Sequence, residues 1–194
     1  GALSALLSNF ADARVGVVSG ELVFRTGAGD TAAARGVDAY WRYEKFIRRS
    51  ESRFRSVPGA TGAFYAIRRA LLRPLPPDTL LDDVAIPMQA VRAGYRCVFE
   101  ERAVVYDQPS LHPSAEGVRK RRTIAGNAQL VALFPWLAVP GLNPIWFEFM
   151  SHKLLRLASP FLLLGVMASS WMARGGTFGR VALAAQAVFY ALAA

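Results

Sequence analysis

Leu3, Leu6, Leu7 and Phe10 recur at helical spacing, so the chain opens on a predicted amphipathic helix. Val15 to Val18 is a short valine-rich run closed by Ser19-Gly20, which predicts a strand ending in a turn, with Glu21 to Arg25 as a second strand. Gly27 to Arg35 is small and polar, a predicted loop. From Val37 to Arg53 the pattern turns helical, with Tyr40, Tyr43, Phe46 and Ile47 on one face and charges on the other. Ser56 to Gly62 interrupts it, Ala63 to Ile67 reads as a strand, and Arg68 to Pro77 as a short helical piece with a proline-rich turn. Val84, Met88, Val91 and Tyr95 step at four, three and four residues, the face of a helix that Gly94 can end and in which Pro87 falls near the first turn. Arg96 to Glu100 and Ala103 to Asp107 are predicted strands. This alternation of strands and helices predicts an α/β domain.

The character changes at Gln129. Leu130 to Val139 and Ile145 to Met150 are rich in aromatic residues and cut by Pro135, Pro140 and Pro144, a pattern suited to the head-group layer of a bilayer or to a core-packing helical hairpin. Leu157 to Ala173 is a run of 17 residues without charge, flanked by Arg156 and Arg174, at the lower limit for a membrane span. Val181 to Ala194 is a second uncharged run that stops at the end of the chain. Two such runs in tandem, joined by Gly175-Gly176 and basic residues, favour membrane helices over buried core helices.

Charge narrows the partners. Lys and Arg outnumber Asp and Glu by 23 to 14, a net +9, and most of the cations are Arg. That balance suits nucleic acid, anionic head groups or phosphorylated substrates, and the guanidinium fork fits phosphate oxygens. Cys97 is the one cysteine, which excludes an intrachain disulfide; set in an apolar run, it reads as a buried thiol. With only His112 and His152, far apart, no Cys/His metal cluster can be assembled.

Three motifs carry candidate chemistry. Asp82 and Asp83 stand between apolar residues at the start of the helix just described. Either they cap it and complement its dipole, with Asp82 or Thr79 as N-cap, or one of them projects as a general base. A carboxylate suits the deprotonation of an alcohol attacking an electrophilic carbon, and its charge favours an oxocarbenium-like centre. Arg119-Lys120-Arg121-Arg122 is either a solvated basic helix end or, through Arg119 and Arg122 three residues apart on one face, a clamp for a leaving diphosphate. Gly59-Ala60-Thr61-Gly62 permits close backbone approach of a ligand, or is simply a turn. Trp41 and the tyrosines around it either pack the core or stack a sugar. Nucleic-acid binding, the rival use of the basic cluster, is disfavoured by the spanning segments and by the lack of a recognisable nucleic-acid module.

In this order, the pieces resemble the second half of an inverting, membrane-associated family 2 glycosyltransferase of the GT-A fold. Val15 to Gly20 looks like the strand that follows the family's metal-binding Asp-x-Asp. Gly59 to Ala63 looks like the glycine turn lining the acceptor side. Leu80 to Val84, continued as Arg92-Ala93-Gly94-Tyr95-Arg96, is similar to the family's acidic stretch. That likeness implies Asp83 as the catalytic base, Asp82 at the preceding acidic position, and Gly59, Thr61 and Gly62 as acceptor-binding or supporting residues. Arg119 to Thr123 sits where processive members carry Gln-x-x-Arg-Trp. Arg122 is retained there, whereas Arg119 and Thr123 replace the Gln and the Trp. Asn143 to Arg156 resembles the amphipathic approach to the first membrane helix. Asp12 and Asp30 do not fit an Asp-x-Asp, so the chain is expected to be a truncated piece whose metal ligands lie upstream of Gly1.

The resemblance implies a partial GT-A-like, Rossmann-like catalytic domain over residues 1–110, basic and aromatic interfacial helices over 111–152, and transmembrane helices over 153–194, the second cut short. It implies sugar transfer from a nucleotide-sugar donor to a glycan or lipid acceptor at a bilayer, in polysaccharide or glycolipid synthesis. Arg119 and Arg122 would hold the diphosphate, and a divalent cation (Mg2+ or Mn2+) would have its ligands mainly outside this chain. The expected setting is a multi-pass membrane protein with its catalytic part in the cytoplasm of a bacterium, without nucleic acid as a partner, and with the piece alone inactive. The alternative is a non-catalytic, membrane-anchored module that binds anionic lipid or a protein partner.

Overall fold

A computed structural model describes residues 1–24, 32–107 and 113–193, the side chains of 24, 32–40, 113–116, 120 and 193 excepted. Asp30 and His112 lie outside the described residues, as does most of the expected loop from Gly27 to Arg35. The chain divides into two compact units, Gly1–Lys153 and Leu154–Ala194.

The first unit is mixed α/β around a three-stranded sheet of order β2-β1-β3. Strand β1 (Val15–Phe24) pairs antiparallel with β2 (Tyr65–Ile67) and parallel with β3 (Arg96–Asp107). Ser19-Gly20 is therefore no turn; the expected pair of strands is one. What the sequence signals there is a break in the ladder: Ser19 pairs with Phe99 and Glu21 with Val104, so both strands lose register at this point. A Cβ on Gly20 would lie 2.6 Å from the Phe64 ring and 2.7 Å from the Ala103 carbonyl, a crowding that only glycine accepts. The two strands expected between Arg96 and Asp107 are likewise one, interrupted where Glu100 to Ala103 pass the bulge. Glu100 is buried there, bound by Arg102 and Asn9, which hold its carboxyl down at about 2.

Helix α1 (Ala2–Ser8) covers one sheet face through Leu6, which joins Val15, Val18, Val98 and Ala103 in a core. Leu3 and Leu7 point outward, so the expected apolar stripe is narrower than its spacing suggests. Helix α3 (Asp82–Arg92) buries Val84, Ala85, Met88 and Val91. It ends in a Schellman motif: Gly94 at φ +90° donates to the Val91 carbonyl and Tyr95 to that of Ala90. Cys97 is fully buried and its thiol is pushed up to about 12 by desolvation.

Helix α2 (Ala32–Phe54) begins before Val37, and its described part inverts the expected amphipathicity. Tyr43 and Phe46 are 60% and 63% exposed and Trp41 also faces outward, so the core reading of Trp41 fails. The inward stripe is instead charged: Glu44, Arg48 and Glu51, spaced four and three residues apart, on one face. Helix α4 (Pro113–Leu133) carries the basic cluster and leads through a 3-10 turn (Pro135–Ala138) to the short helix α5 (Trp146–Phe149), which runs into a π-helical turn (Met150–Leu154).

The second unit pairs α6 (Leu155–Met172) with α7 (Thr177–Ala193) as a hairpin. A Cβ on Gly179 would lie 2.2 Å from the Ala173 carbonyl, which explains a glycine directly after the connection. Gln186 donates to Ser170 Oγ at 3.0 Å, one of few polar contacts between two otherwise apolar helices. The continuous helix from Trp146 to Met172 is the one described helix long and apolar enough to cross a membrane; Thr177–Leu192 is apolar but shorter.

Candidate functional site around Asp83

Asp82 and Asp83 occupy the first two positions of α3. No side chain caps the helix, the N-cap residue is Leu81, and Thr79 Oγ1 turns back to the Pro76 carbonyl, so neither Asp82 nor Thr79 is the expected N-cap. What remains for the pair in structural terms is their favourable place at the positive end of the helix dipole. Asp82 is exposed and Asp83 half-buried.

Pro87 stands one full turn after Asp83, deeper in the helix than its expected first-turn place. Lacking an N–H, it leaves the carbonyl of Asp83 without its helical partner. The amide of Ala60 fills that vacancy at 2.7 Å and so docks the glycine turn on the residue that carries the carboxylate. Gly59 reaches this position with φ +137°, and a Cβ there would press on Val84 Cγ2 at 3.1 Å. A Cβ on Gly62 would lie 3.1 Å from Asp83 Oδ2. The turn and the carboxylate, about twenty residues apart in sequence, are thus neighbours, with a gap that a side chain at 62 would close.

Burial raises the Asp83 carboxyl above the usual carboxylate range; the Lys153 charge opposes the rise, the neighbouring Asp82 adds to it, and Arg122 opposes it. The pKa of the Tyr65 phenol, on β2, is raised by burial and by the charges of the same two carboxylates.

Helix α4 grips the loop before Asp82 with one face. Arg122 Nη2 donates to the Leu80 carbonyl at 3.2 Å, Gln129 Oε1 accepts the Leu80 amide at 2.8 Å, and Gln129 Nε2 donates to the Asp78 carbonyl at 3.0 Å. Between them Gly126 lets the helix meet Leu81, whose Cγ would be 2.5 Å from a Cβ at that position. Arg122 is thereby brought to the acidic pair. Arg119 is exposed one turn earlier on the same helix, its carbonyl taken by Thr123 Oγ1 at 3.0 Å.

Beneath the turn lies a network that the motifs did not announce. Arg48 donates to Thr61 Oγ1 and to Ser19 Oγ, both at 2.7 Å, and its guanidinium sits 4.8 Å from the centre of the Phe99 ring. Ser19 Oγ in turn accepts the Thr61 amide at 2.8 Å, while Thr61 Oγ1 donates to the Gly20 carbonyl at 2.9 Å. Desolvation lowers the pKa of Arg48, offset by Cys97, Glu44, Glu51 and Asp83. Ser19, Arg48, Tyr65, Gln129 and Lys153 are the residues around the site that sequence reasoning missed. The helical spacing of Glu44, Arg48 and Glu51 was the available signal for Arg48. Among the described residues no group of three or more His, Cys, Asp or Glu comes together as a metal site, so the expected divalent cation is assigned no ligands here.

Comparison with known proteins bears on the fold and the family. No curated protein matches the chain. A mannosyltransferase from Pyrobaculum calidifontis, solved in complex with GDP-Man and Mn2+, aligns over 99% of this chain at 22% identity with a TM-score of 0.54, a likeness of fold. This chain spans 56% of that protein's length. The whole of residues 1–194 matches glycosyl transferase family group 2, and the chain belongs to that family. The expected resemblance to family 2 and the expected α/β class are borne out.

Proposed function

We propose, from membership of this family, that the chain is the acceptor-side half of an inverting glycosyltransferase that moves a sugar from a nucleotide-sugar to an acceptor hydroxyl at a membrane. Asp83 accepts the proton of the acceptor hydroxyl as its oxygen attacks the anomeric carbon. The bond from that carbon to the diphosphate oxygen breaks on the opposite face, and the electron pair leaves with the nucleoside diphosphate. Arg122, with Arg119 on the same helix, neutralises the developing charge. Gly59, Thr61 and Gly62 line the acceptor side, with Asp82 in support, and a divalent cation with ligands outside the described residues assists departure of the diphosphate when bound.

The observation that carries this reading is Asp83: a half-buried carboxylate, raised by desolvation, whose side chain lies beside a glycine turn docked on its own backbone carbonyl. A base must be partly desolvated to take a proton from an alcohol, and the half-burial of Asp83 supplies that. Residues 1–110 serve as the catalytic half, 111–152 as interfacial helices and 153–194 as membrane helices of a multi-pass protein whose catalytic part faces the cytoplasm. Support for the membrane setting comes from the apolar helix Trp146–Met172 and from the exposed Phe161, Leu162 and Leu164 of α6. A glycan or a lipid is the acceptor.

The test is donor turnover by the full-length protein in membranes, wild type against Asp83→Asn, over a panel of nucleotide-sugars that includes GDP-Man. Loss of turnover with donor binding retained supports the base. Equal turnover in both proteins removes Asp83 from the chemistry, and no turnover of any donor by the wild type removes the transferase reading itself.

A further inference from the structure

The charged inner stripe of α2 has a second attachment. His152, 8% exposed in the π-helical turn just before α6, places Nδ1 2.8 Å from Glu51 Oε1 and Nε2 2.7 Å from Glu44 Oε1. Two carboxylate acceptors require an N–H on both ring nitrogens, so the imidazolium is the species that satisfies them together. Between these two glutamates on the same helix stands Arg48, whose other end holds Thr61 and Ser19. Glu44, Arg48, Glu51 and His152 then form a buried quartet of two anions and two cations, which is how buried charge is tolerated.

The consequence is mechanical. One rigid helix is bound at once to the turn that lies on Asp83 and to the segment that leads into the apolar helix. We propose that His152 and Arg48 are positioning residues for the transfer, tying the turn that carries His152 to the acceptor turn so that the acceptor turn meets Asp83 in a fixed register. This rests on the reading of the chain as a membrane glycosyltransferase. Neither residue takes part in bond making. His152 acts through Glu44 and Glu51, and Arg48 through Thr61 and Ser19. His152 also fixes the backbone of Lys153, whose charge is felt at Asp83.

The coupling is read by hydrogen exchange of the full-length protein in lipid nanodiscs, followed by mass spectrometry of peptides covering 57–64. The amides of Ala60, Thr61 and Phe64 are the reporters, being bonded to the Asp83 carbonyl, Ser19 Oγ and the Thr61 carbonyl. Arg48→Lys keeps the charge but loses the fork, and is expected to speed exchange there about tenfold, the order implied by losing a hydrogen bond to a charged group. His152→Gln, which keeps one donor and so guards against gross unfolding, is expected to speed the same peptides although it touches none of them. Exchange confined to peptides over 44–52 and 146–154 in the His152 variant overturns the proposal and leaves a local brace. With a donor that the wild type consumes, His152→Gln is expected to lower kcat about tenfold with the donor KM unchanged, whereas an unchanged kcat per folded molecule also overturns it. The two readings fail separately: spread of exchange to the turn without turnover of any donor by the wild type keeps the coupling and discards the transferase.

Discussion

Gly59 and Gly62 flank the same turn but meet α3 differently, and alanine at each separates folding from chemistry. Gly59 has φ +137°, where an L side chain is strained by about 1–3 kcal/mol, and its new Cβ would sit 3.1 Å from Val84 Cγ2 and 3.4 Å from the Asp83 carbonyl. Crowding against that buried valine adds about 1 kcal/mol more, so Gly59→Ala is expected to cost about 2–4 kcal/mol in all. At about 2–4 °C per kcal/mol for a protein of this size, its Tm falls by roughly 5–15 °C. Gly62 is exposed and outside the left-handed region, so Gly62→Ala leaves the Tm within a degree or two, the usual effect of a surface substitution of about 0.5 kcal/mol. Its Cβ meets Asp83 Oδ2 at 3.1 Å, and the carboxylate must move by a few tenths of an ångström. Since a misplacement of about 1 Å at a reacting centre costs about a hundredfold, that smaller shift is expected to lower kcat by about three- to tenfold. The assay is thermal unfolding and initial-rate donor turnover by the full-length protein in nanodiscs, side by side. Gly62→Ala with wild-type turnover would refute the reasoning, because the turn would then be a scaffold remote from the reacting atoms.

Asp83→Asn is expected to lower turnover by about 10²–10⁴-fold, the range of a general base. In the wild type the rate rises with pH through a carboxyl raised by burial, so the acidic limb lies above the ordinary 3.8, and it vanishes in the variant. Stability runs the other way: the folded state holds that proton more tightly, its contribution is present at low pH and lost as pH rises through the raised value, and the Asn variant removes this loss in pH-dependent melting. Gly126→Ala drives a Cβ to 2.5 Å from Leu81 Cγ and is expected to cost about 1–3 kcal/mol, read as a lower Tm. Glu100→Gln removes a carboxyl held down at about 2, so the wild type loses stability as pH falls from its ordinary 4.5 toward 2 and the variant shows no such loss in acid unfolding curves.

Much of the frame was legible because it rests on local rules. The stepping of Val84, Met88 and Val91 gave α3, and Gly94 gave its end, since a left-handed cap after a helix is almost a glycine signature. Ser19-Gly20 misled for the same reason: glycine marks positions where a Cβ cannot fit, and periodicity alone does not say whether the cause is a turn or, as here, Phe64 and the Ala103 carbonyl across a bulge. Helix α2 misled more deeply. In sequence Trp41 and the tyrosines around it are open between core packing and sugar stacking, yet the inward face belongs to Glu44, Arg48 and Glu51, because His152 and the hydroxyls of Ser19 and Thr61 supply partners from distant parts of the chain. A pattern of types carries no record of partners a hundred residues away. The basic cluster is ambiguous in sequence, and only the fold separates Arg122, bonded to the Leu80 carbonyl, from Arg119 one turn earlier; both are exposed.

Pro87 shows how a local rule and a distant contact combine. In isolation a proline inside a helix is a defect, since it removes one hydrogen bond and crowds the preceding turn. Here the bond it removes is the one that would have closed on the Asp83 carbonyl, and that oxygen is where Ala60 docks. An alanine at 87 would offer a helical N–H to the same oxygen and compete with the turn for it. The helix therefore gives up one of its own hydrogen bonds, and in exchange the backbone of Asp83 is held from the glycine turn by Ala60 while its preceding loop is held by Arg122 and Gln129. Leu80 to Asp83 is thus fixed by partners on two separate elements, which sets where the half-buried Asp83 carboxylate lies beside the glycine turn.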